Sequence, residues 1–274
     1  MATHYVIACW SGLRRVNPPK YLQDRSGFLR RHIDSLRMLK HSIDRISIVV
    51  NHNPEDPPSF RHYISSIPKR LGSARVKIIE RPNVGYSYGA YSQAYDIDRG
   101  ASSLDNHILM EDDYVFTRDG FDTDLTEALE QSPKAGFISF VIEGGSREWI
   151  MSRARKEAPG GEAVAQRLAA MCPERFHYAR ISVGMARGRA LGDVWRKFGR
   201  LPHSEGTNHT ECKFEGQFGL TMALESAGWE IADMLPRCRA QAFSPRGEIL
   251  SYGPADKSLF VVPVQTLLQE EGAN

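Results

Sequence analysis

Three consecutive carboxylates, Glu111-Asp112-Asp113, stand between the apolar runs Ile108-Leu109-Met110 and Tyr114-Val115-Phe116. Like charges held at close range repel, and a partly buried carboxylate loses much of its hydration. A divalent cation relieves both penalties. An all-oxygen ligand set suits Mg2+, Mn2+ or Ca2+ rather than zinc. Such an ion keeps open coordination positions that a diphosphate can fill, and it neutralises charge on a departing diphosphate. The competing reading is a strand that ends at the surface, or a helix cap. What surrounds the triplet decides between them.

The surroundings alternate between strand and helix signals. Tyr5 to Trp10 predicts a buried strand, and Leu29, Ile33, Leu36, Leu39 and Ile43 keep the spacing of a helix packed on a sheet from about Gly27 to Ile43. Ile46 to Val50 is a β-branched run of the kind found in central parallel strands. Phe60 to Leu71 predicts a helix interrupted near Pro68, Val76 to Ile79 a third strand, and Gly89 to Asp98 a further helix. His107 to Met110 is the fourth strand, leading directly into the carboxylates. Repeated strand–helix cycles predict an α/β fold with a mainly parallel sheet, whose ligands lie beyond the carboxyl ends of the strands.

The second half is less regular. Gly136 to Ile142 predicts a strand stopped by Gly144-Gly145, and the polar stretch from Ser146 to Gly161 predicts a mobile loop whose Arg147 and Arg153 could close over phosphates. Helices are predicted over Glu162 to Met171 and Ala190 to Phe198, with a strand at Ile181 to Met185 between them. Leu201 to Lys213 predicts an ordered or substrate-closed loop, and Phe218 to Ala227 a helix ended by a left-handed Gly228.

Composition narrows the function classes. The net charge of +2 over 274 residues, with no long basic run, argues against a nucleic-acid partner. Cys9, Cys172, Cys212 and Cys238 have no paired spacing, which predicts neither a zinc site nor a disulfide framework and favours a reduced, cytoplasmic protein. Arg14 and Arg15 follow the first apolar segment instead of preceding it, unlike a signal peptide, and no apolar run approaches the ~20 residues of a membrane span. Contact with a membrane, if the acceptor is a lipid, would be peripheral.

Three features together resemble the GT-A fold glycosyltransferases, and most closely the large inverting family 2-like group related to cellulose, chitin and rhamnosyl transferases. The run His107 to Asp113 resembles their metal-binding DXD signature. Arg81-Pro82-Asn83-Val84-Gly85-Tyr86-Ser87-Tyr88-Gly89 is similar to their Asn-x-Gly turn, and Leu220 to Trp229 to the helix and Ala-Gly-aromatic turn near their catalytic base. The resemblance implies a glycosyltransferase with a nucleotide-diphosphate sugar donor, a hydroxyl acceptor (glycan, lipid-linked sugar or protein glycan) and Mn2+ or Mg2+. Residues 1–116 would form the donor half, 117–253 the acceptor-binding, catalytic half of the same domain, and 254–274 a docking segment.

The resemblance also implies residue roles. Ala8, Cys9 and Trp10 would border the nucleoside, Asn51 and His52 would face the base, and Asn83, Gly85 and Glu111 would complete the donor site. Asp112 would lie near the sugar or ribose and Asp113 would bind the metal. The Glu-Asp pair of the family corresponds to Gly216 and Gln217, neither of which can act as a base. Glu215, one residue earlier, is the candidate base, and Glu211 is second. The competing reading makes Glu215 a favourable charge at a helix start. Two rivals remain open: a nucleotidyltransferase, for which Trp10 to Arg15 has only one glycine, and a non-catalytic nucleotide-sugar binder.

Overall fold

The computed structural model describes residues 2–10, 26–52, 56, 58–99, 104–112, 114–116, 118–139, 142–179 and 183–234, together with short strands at 241–243, 249–251 and 261–263. β1 (Thr3–Trp10), β2 (Arg45–His52), β4 (Ala74–Pro82) and β5 (Asn106–Glu111) are mutually parallel. They belong to an eight-stranded sheet with β3 (Arg70–Leu71), β7 (Ala135–Ser139), β10 (Gly184–Arg187) and β11 (Glu230–Asp233), in the order β11-β7-β10-β5-β1-β2-β4-β3. β10 runs antiparallel to both of its neighbours, and β11 is parallel to β7. This is the α/β architecture with a mainly parallel sheet flanked by helices that the strand–helix cycles predict.

The central strands are buried on both faces, so Ile46, Ile48, Val49 and Val50 read as a continuous apolar run. One face is covered by α1 (Ser26–Met38), α2 (Pro58–Ser66) and α4 (Phe121–Glu130), through Leu29, Ile33, Phe60, Ile64, Phe121 and Leu125. The other is covered by α3 (Tyr86–Ile97), α7 (Gly188–Phe198) and α9 (Gly219–Ser226), through Ala90, Tyr91, Ala94, Leu191, Val194 and Leu224. Each fully buried Leu, Ile or Phe contributes about 1.5–3 kcal/mol through loss of apolar surface. α9 ends in a Schellman turn. Gly228 has φ 89°, its N–H meets the Glu225 carbonyl at 2.9 Å, and the Trp229 N–H meets the Leu224 carbonyl at 3.0 Å.

A third core lies beside the sheet. It joins α5 (Arg147–Glu157), α6 (Gly161–Ala169), the ribbon of β8 (Ile142–Ser146) and β9 (Arg175–Ala179), and the π-helix Lys213–Phe218. Here the structure corrects the sequence reading. Ser146 to Gly161 is not a loop: the Ser146 hydroxyl caps α5 by accepting the Trp149 N–H, and Ile150, Met151 and Ala154 form its buried stripe. Within this helix Arg147 donates to the Cys172 carbonyl and Arg153 pairs with Glu157. Gly144 and Gly145 lie inside β8 instead of ending a strand. The helix predicted to Leu71 stops at Ser66, because Arg70 and Leu71 pair with Arg75 and Ala74 as an edge strand. Beyond 208 the loop predicted to Lys213 becomes the short α8 (His209–Cys212) and then the π-helix. In the C-terminal part, β14 (Val261–Pro263) pairs antiparallel with β6 (Tyr114–Phe116), while Leu267 and Leu268 lie outside the described residues.

His4 and His32 are fully buried in the sheet layers, and burial holds them neutral. Desolvation takes His4 down to about 2, aided by His107, Arg45 and Lys77. Desolvation takes His32 down to about 4, with the nearby Asp112 carbonyl opposing the fall. The unfolded chain protonates both near 6.5, so stability falls as pH drops below that value. Each histidine contributes a slope approaching about 1.4 kcal/mol per pH unit. Urea unfolding from pH 7 to 4 should show this slope, and His32→Gln should flatten it. A slope unchanged in that variant would contradict the assignment.

Candidate functional site

The strand order reverses between β1 and β5: the chain runs outward from β1 through β2 to β4, then returns to the opposite side of β1. Crevices at such switch points, beyond the carboxyl ends of the strands, are where open α/β sheets bind ligands. Glu111 lies beside Ala8 in register, and the Asp112 N–H donates to the Ala8 carbonyl at 3.0 Å. The Asp112 carboxylate, 5% exposed, turns back over the end of β1, where Oδ2 lies 3.4 Å from the Trp10 N–H. Near it, His32 of α1 meets the Tyr5 hydroxyl at 2.8 Å. Glu111 shares the strand parity of Leu109 and turns to the other face, where Oε1 accepts the Ser87 hydroxyl at 2.5 Å. Ala8 and Cys9 are buried, and Cys9 is in no disulfide.

The turn from Pro82 to Ser87 leads β4 into α3 and forms one wall. Gly85 (φ 71°) and Tyr86 (φ 50°) are both left-handed, and no side chain caps the helix. A Cβ on Gly85 would lie 2.6 Å from the Ser204 carbonyl. The Gly85 N–H donates to the Gly206 carbonyl at 2.9 Å, and the Tyr86 hydroxyl to the Thr207 carbonyl at 3.1 Å. Arg81 pins the turn from beneath, donating to Asn51 Oδ1 at 2.6 Å and to the Val84 carbonyl at 2.8 Å. Desolvation lowers the Arg81 pKa, yet an arginine stays charged at such depth, so its role is positional. The rings of Trp10, Tyr86 and His209 follow one another at 5.8 Å spacings.

The predicted donor residues therefore gather at one end of the sheet. Asn51 is 1% exposed, and both ends of its carboxamide are engaged: the oxygen accepts from Arg81 and Nδ2 donates to the Tyr86 carbonyl at 3.5 Å. His52 is more accessible, with Nδ1 2.8 Å from Asp56 and Nε2 2.9 Å from Glu80. Burial opposes its charge, but those two carboxylates outweigh it and raise its pKa. Asp113 lies outside the described residues.

Glu215 sits on the π-helix, 4% exposed, with Oε1 accepting Arg167 Nε at 2.7 Å and Nη2 as well. Burial raises its pKa and Arg167 opposes the rise. Glu211 is engaged elsewhere, its Oε1 accepting the Gly160 N–H at 3.0 Å. Among the described residues, no hydrogen bond or ion pair links Glu215 to the Glu111–Asp112 edge. Sequence reasoning missed Arg81, Ser87 and Arg167. Ser87 was within reach, lying in the same turn as Gly85, but nothing local marks Arg167 as the partner of a residue 48 positions away.

Oxygen-only donors fit a hard cation, which binds through one or two carboxylates and completes its shell with water and phosphate. Among the described residues no three acidic, histidine or cysteine side chains converge on one point. Glu111 and Asp112 diverge by strand parity, so these two carboxylates do not converge on one point.

No protein-family model matches the chain, and no curated protein matches its sequence. Among solved structures it is similar to one described as a glucose-1-phosphate thymidylyltransferase from Bacillus anthracis, at TM-score 0.48 and 10% identity over 85% of this chain and 87% of that one. It is also similar to CMP:2-keto-3-deoxy-manno-octonic acid synthetase, at TM-score 0.44 and 12% identity over 85% and 89%. A third is glucosyl-3-phosphoglycerate synthase from Mycobacterium tuberculosis, determined with Mn2+ and UDP-glucose, at TM-score 0.41 and 14% identity over 97% and 90%. Likeness at this level concerns the course of the chain and says nothing of activity.

The Gly85 geometry is directly testable. A left-handed φ and a close carbonyl both oppose a side chain, so Gly85→Ala should lose about 2 kcal/mol or more in urea unfolding. A loss below about 0.5 kcal/mol would show that the turn adapts.

Proposed function

We propose that this chain is a GT-A type glycosyltransferase that moves a sugar from a nucleotide-diphosphate donor to a hydroxyl acceptor. The observation that carries the reading is the pair Glu111 and Asp112 at the switch-point crevice, against the uncapped start of α3. Unsatisfied N–H groups and the dipole at a helix start favour an anionic group. The donor would lie across the ends of β1, β2 and β5, with Ala8, Cys9 and Trp10 along the nucleoside and His52 towards the base. Asn83 and Gly85 would border the diphosphate, and Asp112 would meet the sugar or ribose. An Mn2+ or Mg2+ ion held by Asp113, with Asp112 beside it, would supply charge neutralisation for the leaving diphosphate.

In the proposed displacement, Glu215 takes the proton of an acceptor hydroxyl. The acceptor oxygen forms the new bond to the anomeric carbon from the opposite face, and the diphosphate leaves with the electron pair of the broken bond. Holding both partners in line supplies much of the rate. The acceptor side would be built by the third core, within residues 117–253. The acceptor class is a glycan, lipid-linked sugar or protein glycan. No described helix is long and apolar enough to cross a membrane, so contact with a lipid acceptor would be peripheral.

One observation favours a second reading, a nucleotide-sugar binder without turnover: both candidate bases, Glu215 and Glu211, are already hydrogen-bonded. A thermal-shift panel of nucleotide sugars and nucleoside diphosphates, with and without Mn2+, separates these readings when followed by assays of nucleoside diphosphate release. One nucleotide class should stabilise the wild type by about 2.7 kcal/mol at a hundredfold excess over Kd. The effect should require Mn2+ and vanish in Asp113→Ala. Stabilisation without release would identify a binder, and the absence of stabilisation by any nucleotide would remove the donor site altogether.

A further inference from the structure

Three consecutive residues of the π-helix are fixed to three different elements. Glu215 is bonded to Arg167 in the last turn of α6, and Gly216 lies so close to α3 that a Cβ there would be 2.6 Å from the Tyr88 ring. Gln217 Nε2 donates to the Ala179 carbonyl of β9 at 2.8 Å. π-turns are rare and concentrate at functional sites. The segment is clipped to α6 at both ends of that helix, because Glu211 accepts the N–H of Gly160, its N-cap residue. The backbone that carries Glu215 is therefore held on both sides by its neighbours.

The ion pair is lopsided. The Glu215 side chain is 5% exposed and that of Arg167 is 49% exposed. Both guanidinium N–H groups reach the same oxygen, Oε1, and Oε2 has no hydrogen-bond partner among the described residues. The other charged groups acting on Glu215 are Glu211, which disfavours its ionisation, and Arg200, which favours it. Arg167 is the charged group in direct contact with Glu215, and it favours the carboxylate against the desolvation that raises its pKa.

We propose that Arg167 is a positioning residue for Glu215: by holding Oε1 it keeps the buried side chain a carboxylate and leaves Oε2 as the oxygen that receives the acceptor proton. This rests on Glu215 being the base. Arg167 touches no substrate in this arrangement and acts only through the carboxylate it holds.

The test is a pH titration of 13C-labelled glutamate carboxyl signals in the full chain, with the Glu215 signal identified by its loss in Glu215→Gln. Arg167→Met should raise the Glu215 midpoint by about 1 unit, the low end for a lost opposite charge because Arg167 is half exposed. Arg167→Lys keeps the charge and loses the planar fork, and should raise it by less. If Arg167→Met does not fold, the Lys variant decides alone. A midpoint that stays at the wild-type value overturns the proposal. The reading of Glu215 as base fails separately if Glu215→Gln turns over the stabilising nucleotide sugar at the wild-type rate.

Discussion

The parallel pairing of β1 with β2 on one side and β5 on the other is the constraint from which the rest of the molecule follows. It fixes where the strand order reverses, and so where the sheet leaves a crevice that no crossover helix covers. The Asp112 carboxylate, just past the end of β5, meets the Trp10 N–H at the end of β1 there because the register brings the two strand ends together. α1 and α3 then reach the same edge from opposite faces. His32 from α1 is bonded to Tyr5 of β1, and Ser87 from α3 donates its hydroxyl to the Glu111 carboxylate.

The first half of this arrangement is legible in the sequence because parallel strands buried on both faces leave long apolar runs, and helices on them leave a three-to-four spacing. Ile46 to Val50 and the Leu29–Ile33–Leu36 stripe behave as their patterns require. Gly228 is legible for a different reason: a left-handed cap admits few residues, and glycine signals it. α5 is not legible. Its buried stripe of Ile150, Met151 and Ala154 is short and sits among Arg147, Arg153, Arg155 and Lys156, so its pattern resembles a solvated loop. The core that stabilises it comes from β9 and the π-helix, far away in sequence.

The candidate site shows the same division. The acidic run and the Asn83–Gly85 turn announce themselves locally, since three adjacent carboxylates are unusual and asparagine with glycine signals a turn. What each side chain does next is set by long-range partners. Asn51 has its oxygen bonded to Arg81, 30 residues on, and Glu211 caps a helix 51 residues back. Glu215 is a buried acid whose charge depends on an arginine no sequence window contains. Residue type shows which groups can do chemistry. Only packing shows which of their atoms are free to do it.

The central claim is that an anionic nucleotide and its cation occupy the crevice between β1 and β5. A crystal soaked with Mn2+ and UDP, measured at the manganese absorption edge, tests it most directly. The account predicts an anomalous peak beside the Asp112–Asp113 carboxylates, with diphosphate density facing the start of α3. A manganese peak confined to other surface carboxylates, with the crevice empty, would contradict it.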